Sequence, residues 1–228
     1  MPDPIQIDEI IHSTRRTIAL IIQPDGTLTV RAPLRMPESR IHEFVETHAN
    51  WIHRKREQVQ ASPSSQKKDY HDGELFLFLG KEYPLQIVAH TRTRLILKED
   101  SFHISKAHLP GAREAFIRWY KLQAREVIAK RVALHGQQNG LYWKRLRISS
   151  ARTRWGSCTA GGNLSFTWRL VLAPLEVIDY VVVHELVHTR IQNHSLTFWK
   201  KVAEIMPDYK KHIAWLKING RFLSLDGS

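Results

Sequence analysis

The chain has few devices that would staple or anchor it. Its single cysteine, Cys158, among 228 residues excludes an internal disulfide framework, and a reducing cytoplasm is the simplest setting. No apolar run approaches the roughly 18 residues needed to cross a bilayer, so no membrane span is expected. The opening stretch MPDPIQIDEI carries acids, not a basic start followed by an apolar block, so no signal peptide is expected. No repeat recurs, and no helix-turn-helix, zinc-finger or RNP pattern is present. Acid is scarce too: 22 Asp and Glu face 34 Lys and Arg, a net charge of +12. Residues 71–150 are the most lopsided, with 14 bases against 7 acids. That balance suits an anionic partner such as a nucleotide, a nucleic acid or an acidic peptide segment, and it equally suits a solubilising surface.

What is present is an ordinary globular composition, 43% hydrophobic, enough for one large domain or two small ones. TIALIIQPDGTLTVRAP (17–33) alternates on both sides of Asp25-Gly26 and predicts a hairpin. MPESRIHEFVETHANWIHRKREQV (36–59) carries apolar residues at helical spacing. ASPSSQKKD (61–69) has no period and predicts a linker. ELFLFLGKEYPLQIV (74–88) predicts two strands around Gly80, and TRLILKEDSFHISK (93–106) two more turning at Glu99-Asp100. A long helix follows Pro110, with Phe116, Trp119, Tyr120, Val127, Ile128 and Val132 on its buried face and Gly136 and Gly140 at its end. Strands at 144–150 and 163–172 flank the loop ARTRWGSCTAGG. Helices are expected at about 174–190, 195–206 and 208–218, with Ser195 as an N-cap. Strands, then a helix, then strands, then helices imply an α+β fold. The expected division is a β-rich region with one helix at 1–106 and a catalytic domain at 107–228.

The chemistry concentrates in VVVHELVHTRIQNHSLTFW (181–199). His184-Glu185-Leu186-Val187-His188 is H-E-x-x-H within a predicted helix. At 100° per residue the two imidazoles lie about 40° apart on one face, one turn apart along the axis. Both nitrogens can then reach one ion at ~2.0–2.1 Å. Glu185 sits about 100° round from His184, placed to reach bound water and not to ligate. Catalysis needs a third protein ligand and an open fourth position. His194, beyond a break at Gln192-Asn193, is the natural third ligand. Three neutral imidazoles leave the ion its full charge, which favours ionising a bound water, with Glu185 as the general base. The surrounding Val181, Val182, Val183, Leu186 and Val187 describe a helix buried nearly all round. Burying two histidines and a glutamate there without a partner would cost several kcal/mol; a metal supplies the partner.

HELVHTRIQNHSLTFW, with MPDYKKHIAWLK (206–217), RWGSC (154–158), RRTIALIIQPDGTLTVRAP and FLGKEYPLQIV, resembles the YgjP-like metallopeptidases, relatives of the SprT and WLM zinc-peptidase groups. The resemblance covers nearly the whole chain. It implies a compact zincin fold with an antiparallel edge strand above the active-site helix. It also implies zinc ligands at His184, His188 and His194 and a general base at Glu185. The histidine spacing matches metzincins as well, but Ile191 stands where those carry a glycine, so that label does not apply.

Lesser signals surround the motif. Arg154 and Trp155 are candidate substrate contacts, and Tyr209 and His212 candidate donors to an oxyanion, each with a packing or capping role as the plainer alternative. Phe198, Trp199, Met206 and Trp215 read as packing residues. Cys158 reads as a small filler more than a nucleophile. The strand at 163–172, if an edge, could accept a peptide as an added strand. Lys144, Arg145, Arg147, Arg152 and Arg154 form either a solvated face or an anion funnel. The leading expectation is therefore a zinc-dependent, cytoplasmic hydrolase of peptidase type acting on a peptide or protein. Its rivals are a metal-dependent nucleoside triphosphate pyrophosphatase at the same site, disfavoured because phosphate chemistry prefers Mg²⁺ and oxygen ligands, and a nucleic-acid-associated protein with secondary or no catalysis.

Overall fold

The computed structural model describes residues 5–23, 26–60 and 68–226. Contacts divide the chain into one unit up to Lys68, with the last three residues, and a second from Asp69 to Leu225. In the first unit β2 (Ala19–Ile22) pairs antiparallel with β3 (Leu28–Pro33), the hairpin expected from the alternation. Asp25, expected in its turn, and most of the expected linker at 61–69 lie outside the described residues. A strand without a clear sequence signal, β1 (Glu9–Ser13), pairs parallel with β3. The single helix expected at 36–59 is two, α1 (Glu38–Thr47) and α2 (Ala49–Gln60). The chain breaks at His48 (φ −105°, ψ 15°), whose Nδ1 lies 2.8 Å from the Phe44 carbonyl.

The second unit is mixed α and β, as its element order predicts. β4 (Leu75–Phe78) and β5 (Lys81–Val88) turn through Leu79 and Gly80, both at positive φ. β6 (Ile96–Lys98) and β7 (Ser101–Ser105) turn at Glu99, also at positive φ. The sheet order is β4-β5-β7-β6. Contacts run across residue 106, because β7 passes through a short 3-10 segment into the 28-residue helix α3 (Ala112–Asn139). Gly140 ends α3 in the left-handed conformation, where a Cβ would be strained.

Aromatic packing joins these layers. Phe116 of α3 stacks on Phe76 of β4 at 4.0 Å between ring centres. Tyr120 stacks on Trp168 at 5.6 Å and donates its hydroxyl proton to the Leu77 carbonyl at 2.6 Å.

A three-stranded sheet and a helix follow, and together they frame the site. The sheet order is β8 (Arg145–Ser149), β10 (Asn163–Thr167), β9 (Gly156–Cys158). β8 runs parallel to β10 and β9 antiparallel to it. The strand expected at 163–172 is therefore central, and the edge is β9, inside the segment read as a loop. β10 also stops at Thr167. Trp168–Leu172 coil into a 3-10 turn with every side chain buried, so they pack all round and do not alternate between two faces. The turn is anchored from outside: Leu79 and Gly80 donate their amides to the Val171 and Leu172 carbonyls at 2.8 and 3.2 Å. A Cβ on Gly80 would lie 2.8 Å from Pro174, at the start of α4 (Leu175–Val187). Two further helices close the unit, α5 (Leu196–Ile205) and α6 (Tyr209–Asn219).

α4 is held in place by apolar burial and one ionic clamp. Ten of its residues from Val177 to Val187 are buried. Arg131 of α3 grips Asp179 with two hydrogen bonds, Nη2 to Oδ2 at 2.6 Å, while His135 Nε2 lies 3.1 Å from Oδ1. Burial raises the Asp179 pKa, but His135 and Arg131 more than offset it and hold the carboxyl below its ordinary value. A carboxyl depressed in the fold stabilises it above the unfolded pKa, and that stabilisation is lost as pH falls through the folded value. Asp179→Asn should therefore lower unfolding stability by about 2 kcal/mol at neutral pH. The gap to wild type should close as pH falls below the ordinary aspartate value of 3.8. Urea titration followed by tryptophan fluorescence checks this, since six of the seven tryptophans lie in this unit. Among the described residues no helix is long and apolar enough to cross a membrane.

Candidate metal centre

The end of α4 and the start of α5 bring three imidazoles together. His184 lies in the last turn of α4 and His188 caps its end. The next five residues reverse the chain without a glycine. Ile191 N–H bonds back to the Val187 carbonyl at 3.0 Å, and Gln192 Nε2 donates to the His188 carbonyl at 2.6 Å. Asn193 Oδ1 accepts from the Ser195 amide at 3.3 Å, and Ser195 Oγ caps α5 by accepting from Phe198 N–H at 3.4 Å. His194 is thus returned over α4. No left-handed residue is needed, since Ile191 is not among the residues at positive φ.

The three Nε2 atoms form a triangle with sides of 3.3 Å (184–188), 3.1 Å (188–194) and 3.1 Å (184–194). Nitrogens bound tetrahedrally to one ion at ~2.0–2.1 Å stand about 3.3–3.4 Å apart. His188 Nδ1 lies 2.9 Å from the Ile191 carbonyl, so Nδ1 carries the proton and Nε2 keeps its lone pair. Burial, then the neighbouring His188 and His194, push the His184 pKa down to about 3. Burial and then His194 also lower His188, against the opposing Ile191 hydrogen bond. Neutral imidazoles with converging lone pairs repel one another unless a cation sits between them. Among the described residues this is the one cluster fit to hold a metal.

An aromatic floor fixes the rings. Phe198, fully buried on α5, stacks on His188 at 4.4 Å and meets His184 and His194 edge-on at 4.9 Å each. Trp199 stacks on His194 at 5.8 Å and on Tyr209 at 5.4 Å. The helical spacing marked Phe198 and Trp199 as packing residues; what they pack is the histidine cluster itself.

Glu185 points from α4 toward β9. It is 6% exposed, and burial raises its pKa to about 7 against the lowering effect of Arg154. The strand lies so close that a Cβ on Gly156 would stand 2.7 Å from Glu185 Oε1 and 2.6 Å from its Cγ. Only a glycine leaves the carboxylate room. Burial and then Glu185 push the Cys158 thiol up to about 11, and Cys158 Sγ donates to the Thr159 carbonyl at 3.3 Å. Such a thiol stays protonated, which suits a filler and not a nucleophile.

The weaker candidates divide. Arg154 is exposed and its charge acts on Glu185. Trp155, just before β9, lines one cavity together with Glu185. Tyr209 and His212 are one ring removed from the triad: Tyr209 stacks on Trp199, and His212 stacks on Tyr180 at 6.3 Å and lies 3.6 Å from Asp208. Lys144, Arg145 and Arg147 are exposed on or beside β8, the edge opposite β9, so the basic run does not converge as a funnel. Tyr180 had no sequence reading, although it lies one turn before His184 on the same face. Its hydroxyl is 3.5 Å from His184 Nδ1. Burial, then Glu185, then Tyr209 push its pKa up to about 12, so it stays protonated.

A family model for the YgjP-like metallopeptidase domain matches residues 16–219. No curated protein matches the chain. Among solved structures, the crystal structure of the metallopeptidase zymogen of Pyrococcus abyssi abylysin is similar at 18% identity and a TM-score of 0.36, over 40% of this chain and 93% of that one. The family match spans most of the sequence and contains every residue of the site just described: the chain belongs to the YgjP-like metallopeptidase family.

Proposed function

We propose that the chain is a zinc-dependent peptidase in which His184, His188 and His194 hold the metal and Glu185 is the general base. The observation that carries the reading is the triangle of Nε2 atoms 3.1–3.3 Å apart, with a buried carboxylate one residue along the same helix. Three imidazoles suit zinc better than magnesium or calcium. A bound zinc ion supplies Lewis acidity to a substrate carbonyl and to a water beside it.

The chain's own groups do the rest. Glu185 takes the proton of the attacking water and returns it to the leaving amine. The Arg154 guanidinium favours the ionised form of Glu185. Tyr180, kept protonated, offers its oxygen to the Nδ1 proton of His184, which turns Nε2 toward the metal. β9 is an edge strand among the described residues. A substrate lying along it as a further strand would carry its backbone past Glu185.

The phosphate reading drew on the basic run, and of that run only Arg154 acts on Glu185. The deciding experiment is a screen of the zinc-loaded protein against a peptide mixture and against nucleoside triphosphates. Cleaved peptides with no pyrophosphate release are expected. Pyrophosphate release without peptide cleavage would replace this reading.

A further inference from the structure

Beside the triad a cavity of about 310 Å³ opens against His184 and Glu185. Its walls are Trp155, Tyr180, Val181, Ile213 and Leu216, with Lys217 also in its lining. Trp155 comes from the segment leading into β9, Tyr180 and Val181 from α4, and the other three from α6. The Trp155 ring is pressed onto the end of α6, where a Cβ on Gly220 would stand 2.8 Å from its Cζ2. That wall is rigid. Ile213, Leu216 and Trp155 are only partly buried, and no internal side chain fills the space between them. The exposed Lys217 has no ion-pair partner among the described residues.

We propose that this cavity is the specificity pocket for the residue flanking the scissile bond. It takes a bulky apolar side chain, aromatic or branched, and rejects lysine and arginine. The inference rests on the peptidase reading. Three features carry it. The cavity adjoins the reacting groups and shares His184 and Glu185 with them. Its volume suits one large side chain, at the lower end of the range for ligand sites. Its walls are apolar and aromatic; of the charged residues in its lining, the exposed Lys217 is cationic, and Glu185 is the carboxylate that the proposed reaction itself occupies. A basic side chain entering there would lose its own hydration and meet like charge. An apolar one would displace water from Trp155 and Leu216 without bringing in a charge of its own.

The test separates binding from cleavage. Three hydroxamates that bind zinc and differ only in the adjacent side chain, methyl, benzyl or aminobutyl, are titrated calorimetrically into the zinc-loaded protein. The benzyl compound should bind at least ~10-fold more tightly than the methyl compound, and the aminobutyl compound no better than methyl. Leu216→Trp, which fills the cavity, should remove the benzyl advantage; Ile213→Phe is the second variant should the first fail to fold. Cleavage sites mapped by mass spectrometry on denatured proteins should show the same order. Equal binding of all three, no binding, or a benzyl advantage that survives both variants overturns the pocket. Selective binding by a protein that cuts no peptide overturns the peptidase reading and leaves the pocket standing.

Discussion

Glu185→Gln is expected to reduce peptide cleavage by at least ~10²–10⁴-fold, the share that a positioned general base contributes, while leaving one zinc per chain. The substitution keeps shape and volume. That matters here because the side chain is 6% exposed and has Gly156 directly above it. A larger or branched replacement would displace β9 and confuse a mechanistic loss with a structural one. Glutamine also leaves the histidine triangle untouched, since Glu185 contributes nothing to it. The expected signature is a fall in kcat with KM nearly unchanged, because the proton is transferred in the transition state and not in the bound complex. Metal analysis on the same preparation distinguishes a lost base from a lost ion. Full activity in the variant would remove Glu185 from the reaction and the proposed mechanism with it.

The elements around the site differ in how readable they were. The H-E-x-x-H pattern and the buried α4 were legible because helical spacing and a continuous apolar run coincide there. The closure of His194 onto the other two histidines was legible from Asn193 and the Ser195 cap, both of which take part in the turn. Strand β9 was not. Gly156-Ser157-Cys158 is three residues long and has no β-branched side chain, so neither period nor propensity marks it. Its role comes from what lies beneath it, since the glycine is required by Glu185, 29 positions later. The candidate edge is consequently read at 163–172, whose strand part, Asn163–Thr167, is paired on both sides.

Long-range juxtaposition also hid the Arg131–Asp179 clamp and the seat of Gly80 on Pro174. Tyr180 could have been found by counting one turn back from His184. The excess of positive charge suggested an anionic partner, but charge along a sequence does not reveal which strand edge it occupies. Nothing in the fold or the family match supports nucleic-acid binding.

His188→Ala should abolish activity by the other route, loss of the metal. His188 Nε2 lies 3.3 Å from His184 Nε2 and 3.1 Å from His194 Nε2, one corner of the triangle. Its orientation is set by the Ile191 carbonyl on one side and the Phe198 ring on the other. If a three-ligand site holds zinc with a free energy on the order of 10 kcal/mol, one ligand accounts for roughly 3 kcal/mol, and its loss weakens binding more than ~100-fold. Wild type should therefore melt at a higher temperature with zinc than after chelation, because a ligand that binds only the folded state stabilises it by RT ln(1 + [L]/Kd). His188→Ala should show little of that shift. Glu185→Gln should show all of it, although both variants are inactive. The two substitutions lie three residues apart on one buried helix, so a general disturbance of α4 would affect both alike. Opposite metal responses with equal loss of turnover require that one side chain holds the ion and the other moves the proton. A His188→Ala protein that retains zinc at wild-type affinity would show that the imidazole triangle is not the metal site.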